Sequence, residues 1–406
     1  MPTIKDSVHD HIEVTGVATE LLDTPAMQRL RRISQLGTVS LVYPAANHTR
    51  FEHSIGVYAL ARRACEVLSI DGTARDELVA AALLHDVGHP PFSHNIEGLI
   101  HRETGKLHDD VLDIVSAGRV GETLRAYGLS PTRIADLIRG EGRYGQVISG
   151  DLDVDRMDYL LRDAHHTGVA YGTIDHERLV RALRFVDETL VFAAGNLQTA
   201  ESLLLARALM NPTVYQHHVA RIARRMLWAA SEQLLADTPI DASTLRRMDD
   251  VDLLARLRGE SSTAPMMARI DERRLFKRAI WAEWAAVPAD VRTASDADRA
   301  ALRTAIADDA EVAVAEVLLD IPSDPSMPEA STQIVVGDAI VSIAAASPLV
   351  QALQQTNEAN WRLGVYTPAV HRSAVQAAAI EVLGLDTDQS ILADRADSTI
   401  ARLDRF

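Results

Sequence analysis

The stretch DELVAAALLHDVGHPPFSH, residues 76–94, carries an Ala/Leu-rich run that ends on a His-Asp pair, His85-Asp86, and is closed by Gly88 and Pro90-Pro91. The unbroken apolar residues from Leu78 to Leu84 predict a buried helix starting near Asp76. Neighbouring residues on a helix point about 100° apart, so one metal ion can take both His85 and Asp86 only where the helix stops. Gly88 and Pro90 supply that stop. An isolated His-Asp pair is an ordinary surface doublet. Three features argue against that here: the apolar run before it, His53 on a preceding helix, and a carboxylate-rich helix opening downstream.

The preceding helix is FEHSIGVYALARRACEVL (51–68), with Ile55, Ala59, Leu60, Ala64, Val67 and Leu68 near helical spacing. The downstream one is DLDVDRMDYLLRDAHH (151–166), whose early carboxylates suit the positive end of a helix dipole. Within it Asp155, Tyr159 and Asp163 fall at i, i+4 and i+8 and share one stripe. Such a stripe is a poor core face, because it buries two carboxylates without evident partners. It reads as a solvated face, or as one metal ligand followed by two groups able to bond sugar hydroxyls. His53, His85, Asp86 and Asp155 form a mixed nitrogen/oxygen set that suits one divalent ion among Mn, Fe, Co, Ni, Zn or Mg, and Ca less well. Open coordination positions on such an ion would supply a Lewis acid and activated water for hydrolysis at phosphorus.

The rest of the chain sets bounds. A formal charge of -16 argues against broad binding to nucleic acid or anionic membrane. Cys65 is the sole cysteine, which excludes an intrachain disulfide and a Cys-based zinc site. No apolar run reaches the roughly 18 residues of a membrane span, and the first twenty residues lack a signal peptide's apolar core, so a cytoplasmic location is expected. Lysine occurs only at positions 5, 106 and 277, which fits either Arg-rich coding or a salty cytoplasm. The expected fold is mainly α, a helical catalytic core with a small C-terminal α+β subdomain. Its expected segments are a catalytic helical domain at 1–236, a helical extension at 237–311, and the α+β subdomain with a helical tail at 312–406. A short strand at 189–194 is expected to precede helices at about 195–209 and 212–236. The later strands are read in TQIVVGD, AIVSIAAA and WRLGVYT. Ser93 is read as the cap of the helix after the Pro-Pro turn.

Five segments, in order, resemble the HD superfamily, and more narrowly its deoxynucleoside-triphosphate triphosphohydrolases: DTPAMQRLRRISQLG, HTRFEHSIGV, LLHDVGHPPFSH, DLDVDRMDYLLRDAHHTG and VYQHH. The resemblance runs from about Asp6 to Leu235. It implies an HD-domain core that hydrolyses dNTPs to deoxynucleoside and inorganic triphosphate at one metal, with an additional Mg carried by the nucleotide left open. It implies that Arg50 and Arg156 contact phosphate, with Arg156 standing where the family usually has lysine. His89, His94 and His108 match histidines around the α-phosphate. His94 would protonate the departing 5′ oxygen, with Glu97 holding it charged. Tyr159, Asp163 and Tyr215 match groups that hold the sugar, and Gln35 and Leu36 match a pair at its 3′ edge. Asp23 and Arg31 match an activating GTP or dGTP site, or are simply a helix cap and a surface charge. Asn211 and His218 replace basic residues of the animal enzyme. Relatives assemble as dimers to hexamers, so a homo-oligomer is expected, with a tetramer favoured. Two alternatives stay open: an HD phosphohydrolase of nucleoside monophosphates, cyclic nucleotides or single-strand ends, and a non-catalytic nucleotide-binding scaffold.

Overall fold

The computed structural model describes residues 2–151 and 153–387; the expected helical tail lies outside them. The chain is mainly helical, and the centre of the fold is the helix Gly72–Leu84. All seven residues from Leu78 to Leu84 are buried, and each fully buried leucine contributes about 1.5–3 kcal/mol. This helix packs between Arg50–Leu68 and Pro131–Ile138, and Arg50–Leu68 packs in turn on Val154–Thr167. Local chemistry sets the ends of these helices. Thr49 and Glu52 form a capping box at the start of Arg50–Leu68. Asp153 accepts from the Arg156 backbone N–H at 2.7 Å, and Gly168, at φ 73°, ends the helix that this cap begins.

The strands depart from expectation. The N-terminus folds as a hairpin, β1 (Thr3–Asp6) with β2 (Asp10–Glu13), inside the expected helical domain. The strand expected at 189–194 is β4 (Thr189–Phe192), and it pairs with an unforeseen β3 (Leu183–Val186). The expected helical extension contains β5 (Lys277–Glu283); its Lys, Arg, Ala and Glu residues favour helix, and sheet pairing overrides that preference. Next come β6 (Leu318–Asp320), β7 (Gln333–Val336), β8 (Ala339–Ser342) and β9 (Arg362–Thr367).

The α+β part is therefore not the continuous 312–406 segment expected. Its sheet has the order β5-β9-β6, all antiparallel, covered by the helices Asp296–Asp309 and Arg372–Val382 around a separate core. Between β6 and β9 the chain crosses back to the catalytic core. There β7 joins β4 in parallel, completing a sheet β3-β4-β7-β8. Ile334, Ile343, Val350 and Leu353 of this crossing are buried in the main core. Among the described residues no helix is long and apolar enough to cross a membrane.

Candidate metal centre and nucleotide pocket

The three central helices bring His53, His85 and Asp86 together with ligand atoms within 4.8 Å of one another, and Asp155 adjoins this group through the two histidines. His53 Nε2 lies 3.2 Å from His85 Nε2, 3.7 Å from Asp86 and 2.8 Å from Asp155 Oδ1. His85 Nε2 lies 3.4 Å from Asp86 and 3.8 Å from Asp155. The helix ends at Leu84, so His85 and Asp86 sit in the turn that follows and converge as the Gly-Pro stop required. Both imidazoles are oriented from behind. His85 Nδ1 donates to the Ala82 carbonyl at 2.8 Å, and His53 Nδ1 donates to Asp158 at 2.7 Å. Each Nε2 is thereby aimed at the shared point.

Asp158, absent from the expected site, anchors this arrangement. It also accepts from His9 at 2.6 Å and twice from Arg162 at 2.9 and 3.0 Å. Arg162 reaches on to Asp6 at 2.9 Å, so the unforeseen hairpin braces the centre. Gly56 makes the approach possible, since a Cβ there would lie 1.9 Å from Asp158. Burial opposes charging His53, but its bonds to Asp155 and Asp158 win and hold its pKa at about 10. Asp155 is held at about 2, because His53 outweighs burial. A carboxylate field that keeps a proton on a fully buried imidazole also favours a cation, and the two His Nε2 atoms with Asp86 and Asp155 suit a divalent one.

A cavity of about 320 Å³ opens beside this centre. Asp155, Tyr159 and Asp163 all line it, as their stripe predicts. Tyr215 donates its hydroxyl to Asp163 at 2.8 Å, and His48, unforeseen, bonds the other oxygen of Asp163 at 2.8 Å. Gln35 and Leu36 line it as well. Arg50 also faces the cavity, with Nε on Ser93 Oγ at 2.8 Å and Nη1 on Asp86 at 3.0 Å. Burial would raise Asp86, but Arg50 holds it well below the carboxylate range.

The three expected histidines cluster at one side. His94 Nδ1 and His108 Nδ1 meet the two oxygens of Glu97 at 2.6 and 2.5 Å. His89 stacks on His108 with ring centres 4.3 Å apart. Gly88 permits this, because a Cβ there would lie 2.0 Å from the His108 carbonyl oxygen. Burial opposes ionising Glu97, yet both imidazoles pull it well below the usual carboxylate value. Burial also opposes charge on His108, but Glu97 prevails and raises it. Burial, helped by Arg50, keeps His89 neutral. His89 is fully buried; its Nε2 lies 3.2 Å from Asp86 Oδ1, and its Nδ1 has no hydrogen-bond partner among the described residues. An unsatisfied nitrogen on a cavity wall is suited to a ligand. His89, His94, Glu97 and His108 also have ligand atoms within 4.8 Å of one another, though Glu97 is already committed to two of the imidazoles.

Other expectations need correction. Arg156 does not line the cavity. It turns to the Gly150 carbonyl at 2.5 Å and to the carboxylates of Asp153 and Glu329. Arg207 lines the cavity instead, paired with the same buried Glu329. The spacing of Arg207, Asn211 and Tyr215 (i, i+4, i+8) was the signal that could have found it. A π-helical turn, Asn211–Tyr215, re-aims the end of this stripe. Ser93 stands at the N-cap position of the helix His94–Thr104, but its hydroxyl makes no cap bond and donates to the Ser34 carbonyl at 2.6 Å instead. Asp23 and Arg31, expected at a separate activating site or as a cap and a surface charge, lie outside the cavity as both readings allow: Asp23 is exposed, and the Arg31 guanidinium sits 3.5 Å above the Phe51 ring.

Comparison with known proteins agrees with this architecture. Residues 50–163 match the HD domain, and residues 174–393 match the HD associated region. An uncharacterized protein of Methanocaldococcus jannaschii is 35% identical over 378 residues, covering 91% of this chain and 79% of that protein. The SAMHD1 homolog of Dictyostelium discoideum, a deoxynucleoside triphosphate triphosphohydrolase, is 30% identical over 268 residues, covering 61% of this chain but only 50% of that protein. A solved phosphohydrolase from Bacteroides thetaiotaomicron superposes with a TM-score of 0.72 at 25% identity, covering 91% of this chain and all of that one. The chain belongs to the HD superfamily of metal-dependent phosphohydrolases, with an HD domain followed by an HD associated region.

Proposed function

We propose that this chain hydrolyses deoxynucleoside triphosphates to deoxynucleoside and inorganic triphosphate. The observation that carries the reading is the lining of the cavity beside the candidate metal centre, where Tyr215 is pinned to Asp163 and Tyr159, Gln35 and Leu36 share the same space. A sugar between these groups finds hydrogen-bond partners for its 3′-hydroxyl and a tyrosine ring against C2′, which disfavours a 2′-hydroxyl. The similarity to a named triphosphohydrolase supports the same substrate class.

A divalent ion at His53, His85, Asp86 and Asp155 would act as a Lewis acid toward the α-phosphate. Arg50 offsets charge developing on the phosphate oxygens. Water attacks the α-phosphorus, an O–P bond forms, and the bond to the 5′ oxygen breaks. His94 hands its proton to that oxygen, while Glu97 holds the imidazole in place. Arg207 takes the position on the phosphate chain that Arg156 does not occupy.

Purified protein supplied with Mn²⁺, Co²⁺ or Mg²⁺ is expected to release tripolyphosphate from at least one dNTP, and release from none overturns the reading. Glu329 partly neutralises both Arg156 and Arg207, which favours a shorter phosphate chain as the second reading. Inorganic phosphate from a nucleoside monophosphate would be its product.

A further inference from the structure

Past Tyr215 the cavity continues along a second stripe, Gln216, Ala220 and Arg224, the last two one turn apart on the helix His218–Asp237. Facing this stripe, Thr38 Oγ1 donates to the Ala220 carbonyl at 3.1 Å, and Asn95 Nδ2 donates to Thr38 Oγ1 at 3.1 Å. Gly37 lets the Asn95 amide come this close, since a Cβ there would lie 2.3 Å from Asn95 Nδ2. This end of the cavity therefore has an apolar floor of Leu36, Val39 and Ala220, with Arg224 and Asn95 as polar groups.

Charge separates Arg224 from the other guanidinium groups of the cavity. Arg50 faces Asp86 and Arg207 faces Glu329. Arg224 has no hydrogen bond or ion pair among the described residues, and the nearest carboxylate influence, Asp320, is bonded to Arg221. With phosphate beside Arg50 and the histidines, and sugar against Tyr215 and Asp163, the third part of a nucleotide falls on this floor. A flat apolar floor suits the face of a base, and a planar fork suits an edge with two adjacent acceptors. Guanine offers O6 and N7 as such a pair, whereas adenine and cytosine present an amino donor there and thymine a single acceptor beside a methyl group. Asn95 commits its NH₂ to Thr38, which leaves its carbonyl oxygen to accept from guanine N1–H or N2–H.

We propose that Arg224 reads the base and makes this chain select guanine nucleotides; the proposal rests on the deoxynucleotide reading above. The test is kcat/KM for the four dNTPs and 7-deaza-dGTP on wild type, Arg224→Gln and Arg224→Lys, with tripolyphosphate as the product read. Wild type should prefer dGTP over dATP by about 10-fold or more, the worth of one bidentate arginine–guanine contact. Both variants should lose that preference, dGTP falling at least 10-fold further than the other three. The Lys variant keeps the charge and removes the fork, so it decides if Arg224→Gln fails to fold. On wild type, 7-deaza-dGTP, which lacks the N7 acceptor, should be slower than dGTP. A wild type indifferent to the base overturns the proposal. An equal fall for all four substrates does so too, by marking Arg224 as a phosphate contact. If wild type releases tripolyphosphate from no dNTP, the deoxynucleotide reading fails separately. Calorimetry with dGMP and dAMP then decides: tighter dGMP binding that Arg224→Lys abolishes upholds base reading, and equal binding removes it.

Discussion

Asp158 shows how much of the centre depends on a residue that touches neither substrate nor the shared ligand point. Its carboxylate takes four hydrogen bonds, from His53, His9 and Arg162. Burial opposes its charge, yet Arg162 and the histidines hold its pKa well below the usual value. Asp158→Asn should weaken divalent metal binding by roughly 10- to 100-fold, as loss of a carboxylate behind a ligating imidazole does. Competition against a chelator would measure it, and unchanged affinity would show that His53 needs no such brace. Glu97 permits a second test. Burial opposes a proton on His108, and Glu97, helped by Asp86, outweighs it and keeps the proton to a higher pH than on an ordinary imidazole. In Glu97→Gln, only the weaker influence of Asp86 opposes burial and Arg50, so the proton leaves at lower pH. The alkaline limb of the kcat/KM profile should therefore move downward, and a limb that stays in place would remove Glu97 from this role. The sequence made the four candidate ligands legible because they fall at helix-specific positions. It concealed Asp158, which lies one i, i+3 step to the side of the Asp155 stripe and looks like one half of a routine i, i+4 pair with Arg162.

The turn from His85 to His94 is the element on which the site hangs, and its geometry is strained. Phe92 and Ser93 both have left-handed φ, 56° and 55°, without being glycine, which costs of order 1–3 kcal/mol each and persists only where neighbours enforce it. The enforcer is Asp250. One of its oxygens accepts from the Phe92 N–H at 2.6 Å, and the other accepts from the Ser34 N–H at 2.9 Å and from the Ser34 hydroxyl. Ser93 then ties Ser34 to Arg50. Arg29 adds a second clasp, donating to the His89 and Arg246 carbonyls at 2.8 Å. Asp250→Ala should lower stability in urea by about 1–3 kcal/mol, from lost bonds to a charged acceptor and stranded donors. It should also reduce kcat/KM, because Arg50 loses its register. Wild-type stability and turnover in this variant would show that the turn holds itself. The Gly-Pro-Pro stop was legible in sequence; the latch was not, because Asp250 lies 158 residues from Phe92 and no local pattern joins them.

At the scale of the molecule, the helix His218–Asp237 joins the catalytic core to the α+β part. Helical periodicity made the core helices legible, while β5 and the return of β7 and β8 were set by sheet pairing that composition does not encode. The joint is a buried pair on that helix. Arg221 Nε donates to Asp320 at the end of β6 at 2.7 Å, Tyr366 of β9 donates to the same carboxylate at 2.9 Å, and the Arg221 guanidinium lies 4.6 Å from the Trp281 ring of β5. Removing one partner of such a pair strands the other charge, so Asp320→Ala should destabilise the chain by about 3–5 kcal/mol. Tyr366→Phe, which removes one hydrogen bond, should cost about 0.5–1.5 kcal/mol. Burial would raise Asp320, but Arg221, with Arg224 and Arg225, lowers it from 3.8 to about 2. A depressed folded value means the stabilisation is complete above the unfolded value near 3.8 and fades as pH falls through about 2. Urea midpoints measured between pH 5 and 2 should therefore converge for wild type and Asp320→Asn as the pH approaches 2. A gap between them that holds constant across that range would show that the Arg221–Asp320 pair does not fasten the two parts together.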